Sequence, residues 1–161
     1  MALVDDIVGL RNILTGARSL AVVGISANWY RPSYFAAKYM LDHGYRIYPV
    51  NPNYAEVLGR RCYPDVASIP EAVDIVDCFR KPNEIVPLAE AAVAKGAKVL
   101  WMQLGIRNDD AAKIATAAGL DVVMDRCVKI EHARILGGLN WAGVNTGVIS
   151  SHRGAPAGTN P

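Results

Sequence analysis

The stretch Gly24-Ile25-Ser26-Ala27-Asn28-Trp29-Tyr30-Arg31-Pro32-Ser33 gathers a glycine, two serines and an arginine where an apolar run gives way to a helix. The first amides of a helix point at whatever lies ahead of it. With a glycine beside them they form an anion site, and diphosphate is the usual occupant. The same residues are also explained without a ligand, Gly24 making a tight turn and Ser33 capping the helix. A dinucleotide fingerprint needs G-x-G-x-x-G and, about 20 residues on, an acid for the ribose hydroxyls. Here Ser26 stands at the second glycine, no third follows, and Asn51 ends the second apolar run in place of an acid. Both departures count against NAD. A P-loop is absent as well. Arg31, Lys38, Arg80 and Lys81 could meet a ligand with more phosphate charge than NAD carries, although a lone surface cation is ordinarily just solvated.

Catalytic residue patterns are scarce. His43 precedes a helix-ending glycine, an ordinary place for histidine. His132 falls inside the helical segment 129–134 and reads as structural, and His152 lies close to the end of the chain. Cys62, Cys78 and Cys127 are far apart and form no C-x-x-C pair, so neither a zinc site nor a disulfide framework is expected. No Ser–His–Asp order, H-E-x-x-H or glycine-framed nucleophile elbow occurs. The expectation is no catalytic residue and no metal ligand.

The elements that must position the glycine segment are legible. Short apolar runs at 20–25, 46–50, 74–79, 98–102 and 121–124 read as strands buried on both faces. Between them lie helices with marked ends. One is capped by Ser33 and closed at Gly44, one starts at Asn83 and closes at Gly96, and one starts at Asn108 and closes at Gly119. A leading helix covers about 5–14, and Ser68-Ile69-Pro70-Glu71 reads as a capping box opening a short extra helix. Strand–helix alternation implies an α/β, doubly wound parallel sheet of about five strands in three layers, with right-handed crossovers. Ligands of such sheets bind beyond the carboxyl ends of the strands at the switch point. Segments 24–33, 51–53, 79–83 and 103–105 should gather there.

Composition bounds the rest. The 161 residues make about one domain. With 52% hydrophobic and 20% charged residues the chain can bury enough apolar surface to fold. No apolar run reaches the ~20 residues of a membrane span, and acids at positions 5 and 6 stand where a signal peptide would be basic, so a cytoplasmic location is expected. A net charge of +2 without a basic stripe argues against nucleic acid. The one dense basic cluster, Arg60-Arg61, is expected to be solvated. From Gly137 on, the sequence becomes glycine-rich and apolar. This divides the chain into a domain at 1–136 and an arm with a frayed tail at 137–161, the arm being a candidate homodimer contact.

AVVGIS at 21–26, RPS at 31–33, YRIYPVNP at 45–52, CYPDVASIP at 62–70, VDIVDCFRKP at 73–82, WMQLGIRN at 101–108 and VVMDRCVKIEHAR at 122–134 follow in order. Together they resemble the small stand-alone CoA-binding protein family, from about Leu20 to Arg134. That family's fold is similar to the Rossmann-like CoA-binding domain of the succinyl-CoA synthetase α-subunit. The resemblance implies coenzyme A or an acyl-CoA as ligand, with Gly24, Ser26, Arg31 and Ser33 around the diphosphate. It implies that Pro52, Asn53, Phe79, Arg80 and Pro82 line the nucleotide side, and that Lys38, one helical turn beyond Ser33, reaches toward a phosphate. The α-subunit's phosphorylated histidine belongs to a second domain for which this sequence has no counterpart. A thiolate at Cys127 could form a mixed disulfide with the CoA thiol, although a small buried residue is the commoner role of a free cysteine. Two other functions stay open. One is an NAD(P)-linked oxidoreductase of the same sheet class, disfavoured by Ser26 and Asn51. The other is a regulatory or interaction subunit.

Overall fold

The structure, a computed structural model, describes residues 2–137. The helices are α1 (Ile7–Gly16), α2 (Pro32–Asp42), α3 (Ile85–Lys95), α4 (Asp109–Ala117) and α5 (Val128–Ile135). The strands are β1 (Ser19–Val23), β2 (Arg46–Val50), β3 (Glu56–Val57), β4 (Arg60–Arg61), β5 (Ile75–Cys78), β6 (Val99–Met102) and β7 (Asp121–Val123). Five strands form one parallel sheet in the order β2-β1-β5-β6-β7, and β3 pairs with β4 as a separate antiparallel ribbon.

The three layers follow from the period of two along each strand. Leu20 and Val22 of β1 pack with Leu10, Leu14, Ala36, Met40, Val128 and Ile135, so α1, α2 and α5 cover one face. Ala21 and Val23 pack with Ile85, Ala89, Ala92, Ala111 and Ala115, so α3 and α4 cover the other. Both faces of β1, β5 and β6 are buried throughout, hence their continuous apolar runs. The two edges are blunted. Ala2 and Val4 hydrogen-bond to Val122 of β7. Tyr63 pairs with the end of β2, donating to the Pro49 carbonyl at 2.9 Å, and Pro49 is tolerated there because an edge strand can spare its missing N–H.

The chain leaves β1 for β2 on one side and later re-enters the sheet at β5 on the other. The switch point therefore lies between β1 and β5, with segments 24–33 and 79–84 on its rim.

Several local expectations are corrected. The leading helix begins two residues later, at Ile7. Ser33 does not cap α2: the helix starts at Pro32, Arg31 takes the N-cap position without a side-chain bond, and Ser33 is buried in the first turn. Asn83 does not start a helix proper but sits in a 3-10 turn, Pro82–Glu84, that leads into α3. The short helix after β4 is a 3-10 turn at Val66–Ser68 capped by Asp65, which accepts from the Ser68 amide, so Ser68 closes that turn rather than opening one. Asn108 does cap α4, accepting from the Ala111 amide at 3.0 Å. The β3–β4 ribbon was not expected. Its turn places Leu58 at φ 57° and Gly59 at φ 70°, and a leucine in that left-handed region sends no sequence signal. The candidate dimer arm from 138 on, with His152, lies outside the described residues.

Candidate functional site

Gly24 closes β1, its amide donating to the Val50 carbonyl at 2.9 Å with φ at +87°. A Cβ there would lie 2.5 Å from the Phe79 carbonyl oxygen and 2.7 Å from Arg80 Cδ. Glycine is therefore required twice over, by backbone conformation and by the loop after β5 pressing against it. That press closes the floor of the switch-point crevice.

Beyond Gly24 the loop is held by its own hydrogen bonds. The Ser26 amide donates to Ser33 Oγ at 2.9 Å, and Ser26 Oγ accepts from the Asn28 amide at 3.0 Å. The Ser33 hydroxyl thus meets a partner distant in sequence instead of capping its own helix. Asn51 ties the loop to β2, its Nδ2 donating to the Ile25 carbonyl at 2.8 Å while its Oδ1 accepts from the Asn53 amide at 2.9 Å. An aspartate at 51 could not make the first of these bonds. The Arg31 carbonyl accepts from the amides of Tyr34 and Phe35, and Pro32 occupies the first helical position with no amide to satisfy. Two of the donors at the start of α2 remain open among the described residues. The Ser33 amide has no partner, and the exposed Arg31 guanidinium has no ion pair.

These groups line an open cleft of about 370 Å³. Of the residues expected there, it brings together Gly24, Ser26, Arg31, Ser33 and Phe79. Asn28, Asn51 and Tyr54 line it as well. The asparagine at 51 was legible as a strand-end residue and was weighed only as a missing acid. Lys38, Pro52, Asn53, Arg80 and Pro82 are not among the lining residues. Lys38 is paired with Asp42 at 2.9 Å. Arg80 lays its stem beside Gly24 and gives its guanidinium to Glu84 at 2.8 Å. The Pro82 carbonyl accepts from Asn108 Nδ2 at 2.8 Å, which fastens this loop to α4.

A buried polar cluster lies under the same end of the sheet and was missed in the sequence, although an acid inside the run Ile-Val-Asp-Cys-Phe was its signal. Asp77 is 1% exposed, and burial pushes its carboxyl up to about 7 against a hydrogen bond from Gln103 Nε2 that lowers it. Gln103 Oε1 accepts from the Val128 amide at 3.3 Å, so the side chain bridges β5 to the start of α5. Cys127 precedes that helix. Burial raises its thiol above the ordinary value, which works against the thiolate that disulfide exchange with CoA would require. His132 meets the Tyr39 hydroxyl at 2.9 Å through Nδ1, and burial, with His43 nearby, holds its pKa below the usual value. Among the described residues no group of three or more His, Cys, Asp or Glu is placed to hold a metal, and no helix is long and apolar enough to cross a membrane.

Comparison with known proteins places this arrangement. The chain is 36% identical over 124 residues to the uncharacterized protein YneT of Bacillus subtilis, covering 77% of this chain and 92% of that one. It is 37% identical over 84 residues to acetate–CoA ligase (ADP-forming) II of Archaeoglobus fulgidus, a match covering half of this chain and 12% of the ligase. A solved structure of a hypothetical protein from Pyrococcus horikoshii superposes with a TM-score of 0.80 at 46% identity, covering 83% of this chain and 94% of that one. These neighbours share the Rossmann-like α/β fold. Residues 18–133 match the CoA binding domain family, and the chain belongs to that family.

Proposed function

We propose that the switch-point crevice binds coenzyme A or an acyl-CoA, with the diphosphate at the N-terminus of α2. The observation that carries this reading is the pair of open donors there, the Ser33 amide and the Arg31 guanidinium, at the head of α2 beside a loop whose Ser26 and Asn28 amides are already bonded. An oxyanion before a helix N-terminus gains from both the free amide and the helix dipole. A guanidinium adds a charge-assisted, two-pronged bond. Gly24 and Ser26 act by holding the loop shape rather than by donating to the phosphate. Pro52, Asn53, Phe79, Arg80 and Pro82 fall to the nucleotide side, where Arg80 would have to release Glu84 to meet a phosphate. Lys38 would likewise have to release Asp42, and we leave it outside the assignment. Relatives named as CoA ligases support the ligand class, and the family match at residues 18–133 covers the crevice segments. We assign no bond-making step to this chain: the crevice holds and orients its ligand.

A thermal-shift series tests the reading. A ligand that binds only the folded state stabilises it by mass action, about 2.7 kcal/mol at a hundredfold excess over Kd. CoA is expected to raise Tm, and NAD or NADP at equal concentration to raise it far less. Equal shifts would overturn the CoA assignment in favour of a dinucleotide site.

A further inference from the structure

A larger cavity than the crevice lies elsewhere. It has about 650 Å³ and runs along the outer side of β2, away from the crevice, and no residue lines both. Arg18 and Arg46 contribute from the start of the two neighbouring strands, and Arg60 and Arg61 from the β3–β4 ribbon. Glu71 is the one acid in the lining.

Four guanidinium groups against one carboxylate leave about three uncompensated positive charges around one hollow. Among the described residues none of the four has a carboxylate within ion-pair distance. Lys38, Arg80, Arg126 and Arg134 all have one. Arg18 gives one bond to a neutral carbonyl, that of Thr15 at 3.3 Å, and Arg61 lies over the Tyr63 ring at 5.3 Å. Like charges around one hollow repel each other, over a screening length of about 8–10 Å, unless an anion intervenes. A second feature of the same wall also lacks a counterpart. Tyr48, a lining residue 7% exposed, ends in a buried hydroxyl with no hydrogen-bond partner.

We infer that this cavity is a second binding site, for a small anion carrying about three negative charges on two or more phosphate groups. Guanidinium groups grip phosphate oxygens two at a time, which is why arginine rather than lysine serves such sites. The volume falls within the range of small-ligand pockets, roughly 300–1,000 Å³. The basic residues gather around one hollow rather than along a stripe, which favours a compact anion over a nucleic-acid strand.

The test is calorimetric titration of the full chain with inorganic tripolyphosphate at low ionic strength. Its comparators are the double variants Arg46→Gln/Arg61→Gln and Arg11→Gln/Arg107→Gln, and the single variant Arg31→Gln. All five positions are solvent-facing or partly so, and circular dichroism checks that each variant folds. Expected is saturable binding by the wild type that weakens at least tenfold in Arg46→Gln/Arg61→Gln and by less than twofold in the other two. No saturable binding by the wild type at millimolar probe overturns the inference. So does an equal loss in Arg11→Gln/Arg107→Gln, which would mean bulk charge alone. Loss confined to Arg31→Gln would send the anion to the crevice and also overturn it. None of these outcomes depends on whether CoA binds.

Discussion

The crevice and the β2-edge cavity stand in opposite states. In the crevice Ser26 has already met Ser33 and the Asn28 amide, and Asn51 the Ile25 carbonyl, while the Ser33 amide and Arg31 stay open. At the β2 edge four arginines have, among the described residues, no carboxylate partner and no comparable set of hydrogen bonds to fix them. The first is shape with little charge, and the second is charge with little shape. Preorganised donors lower the ordering cost of binding and favour one ligand over its analogues. Unpaired charge raises encounter and attraction for any compact anion. The two properties can be built separately on one sheet, and substitutions should separate them.

The largest effect is expected at Gly24, where shape is set. Gly24→Val forces a β-branched residue into positive φ and drives its Cβ into the Phe79 carbonyl. Backbone strain of about 1–3 kcal/mol and overpacking of about 1–3 kcal/mol combine to roughly 4 kcal/mol, read by urea denaturation. A loss below 1 kcal/mol would mean that the loop after β5 yields easily and that the crevice is not a fixed shape.

Next comes Asp77. Its folded pKa of about 7 lies above the usual carboxylate value near 4, so the folded state holds the proton more tightly than the unfolded chain does. Stability from this group is greatest below pH 4 and falls as pH rises from 4 to 7. Above that it is fully lost, by roughly 4 kcal/mol. Asp77→Asn should flatten that part of the stability–pH curve and be the more stable form at pH 8. An unchanged slope would remove Asp77 as its source. Tripolyphosphate binding at the β2 edge should not follow this titration.

Much of the scaffold was legible because it depends on local pattern. Apolar runs marked the five sheet strands, and Gly44, Gly96, Gly119 and Asn108 marked helix ends, because left-handed glycines and short polar caps act within one turn. What escaped depends on tertiary neighbours. Ser33 looked like a cap, and only the fold shows that Ser26 takes its hydroxyl. Arg18, Arg46 and Arg60-Arg61 are dispersed in sequence and share a cavity only once β2 and the ribbon are in place. Read alone, Arg60-Arg61 was an ordinary solvated pair.

Smaller effects sharpen the contrast inside the crevice. Asn51→Asp removes the donor to the Ile25 carbonyl, which should cost about 1–2 kcal/mol of stability and create no tight NAD binding. Micromolar NAD affinity in that variant would mean that the missing glycines matter less than the ribose contact. Lys38→Gln breaks an exposed pair with Asp42, so stability should change by less than about 1 kcal/mol. CoA affinity should stay within threefold, and a larger loss would return Lys38 to the phosphate.

The most direct measurement is calorimetric titration of CoA into the wild type, Arg31→Gln and Arg46→Gln/Arg61→Gln. Losing a charged hydrogen-bond donor typically costs about 1.5–3 kcal/mol. Arg31→Gln should therefore weaken CoA binding at least tenfold, with the double variant within threefold of wild type. The reverse pattern, with binding kept in Arg31→Gln and lost in the double variant, would contradict the crevice as the CoA site and move the ligand to the β2 edge.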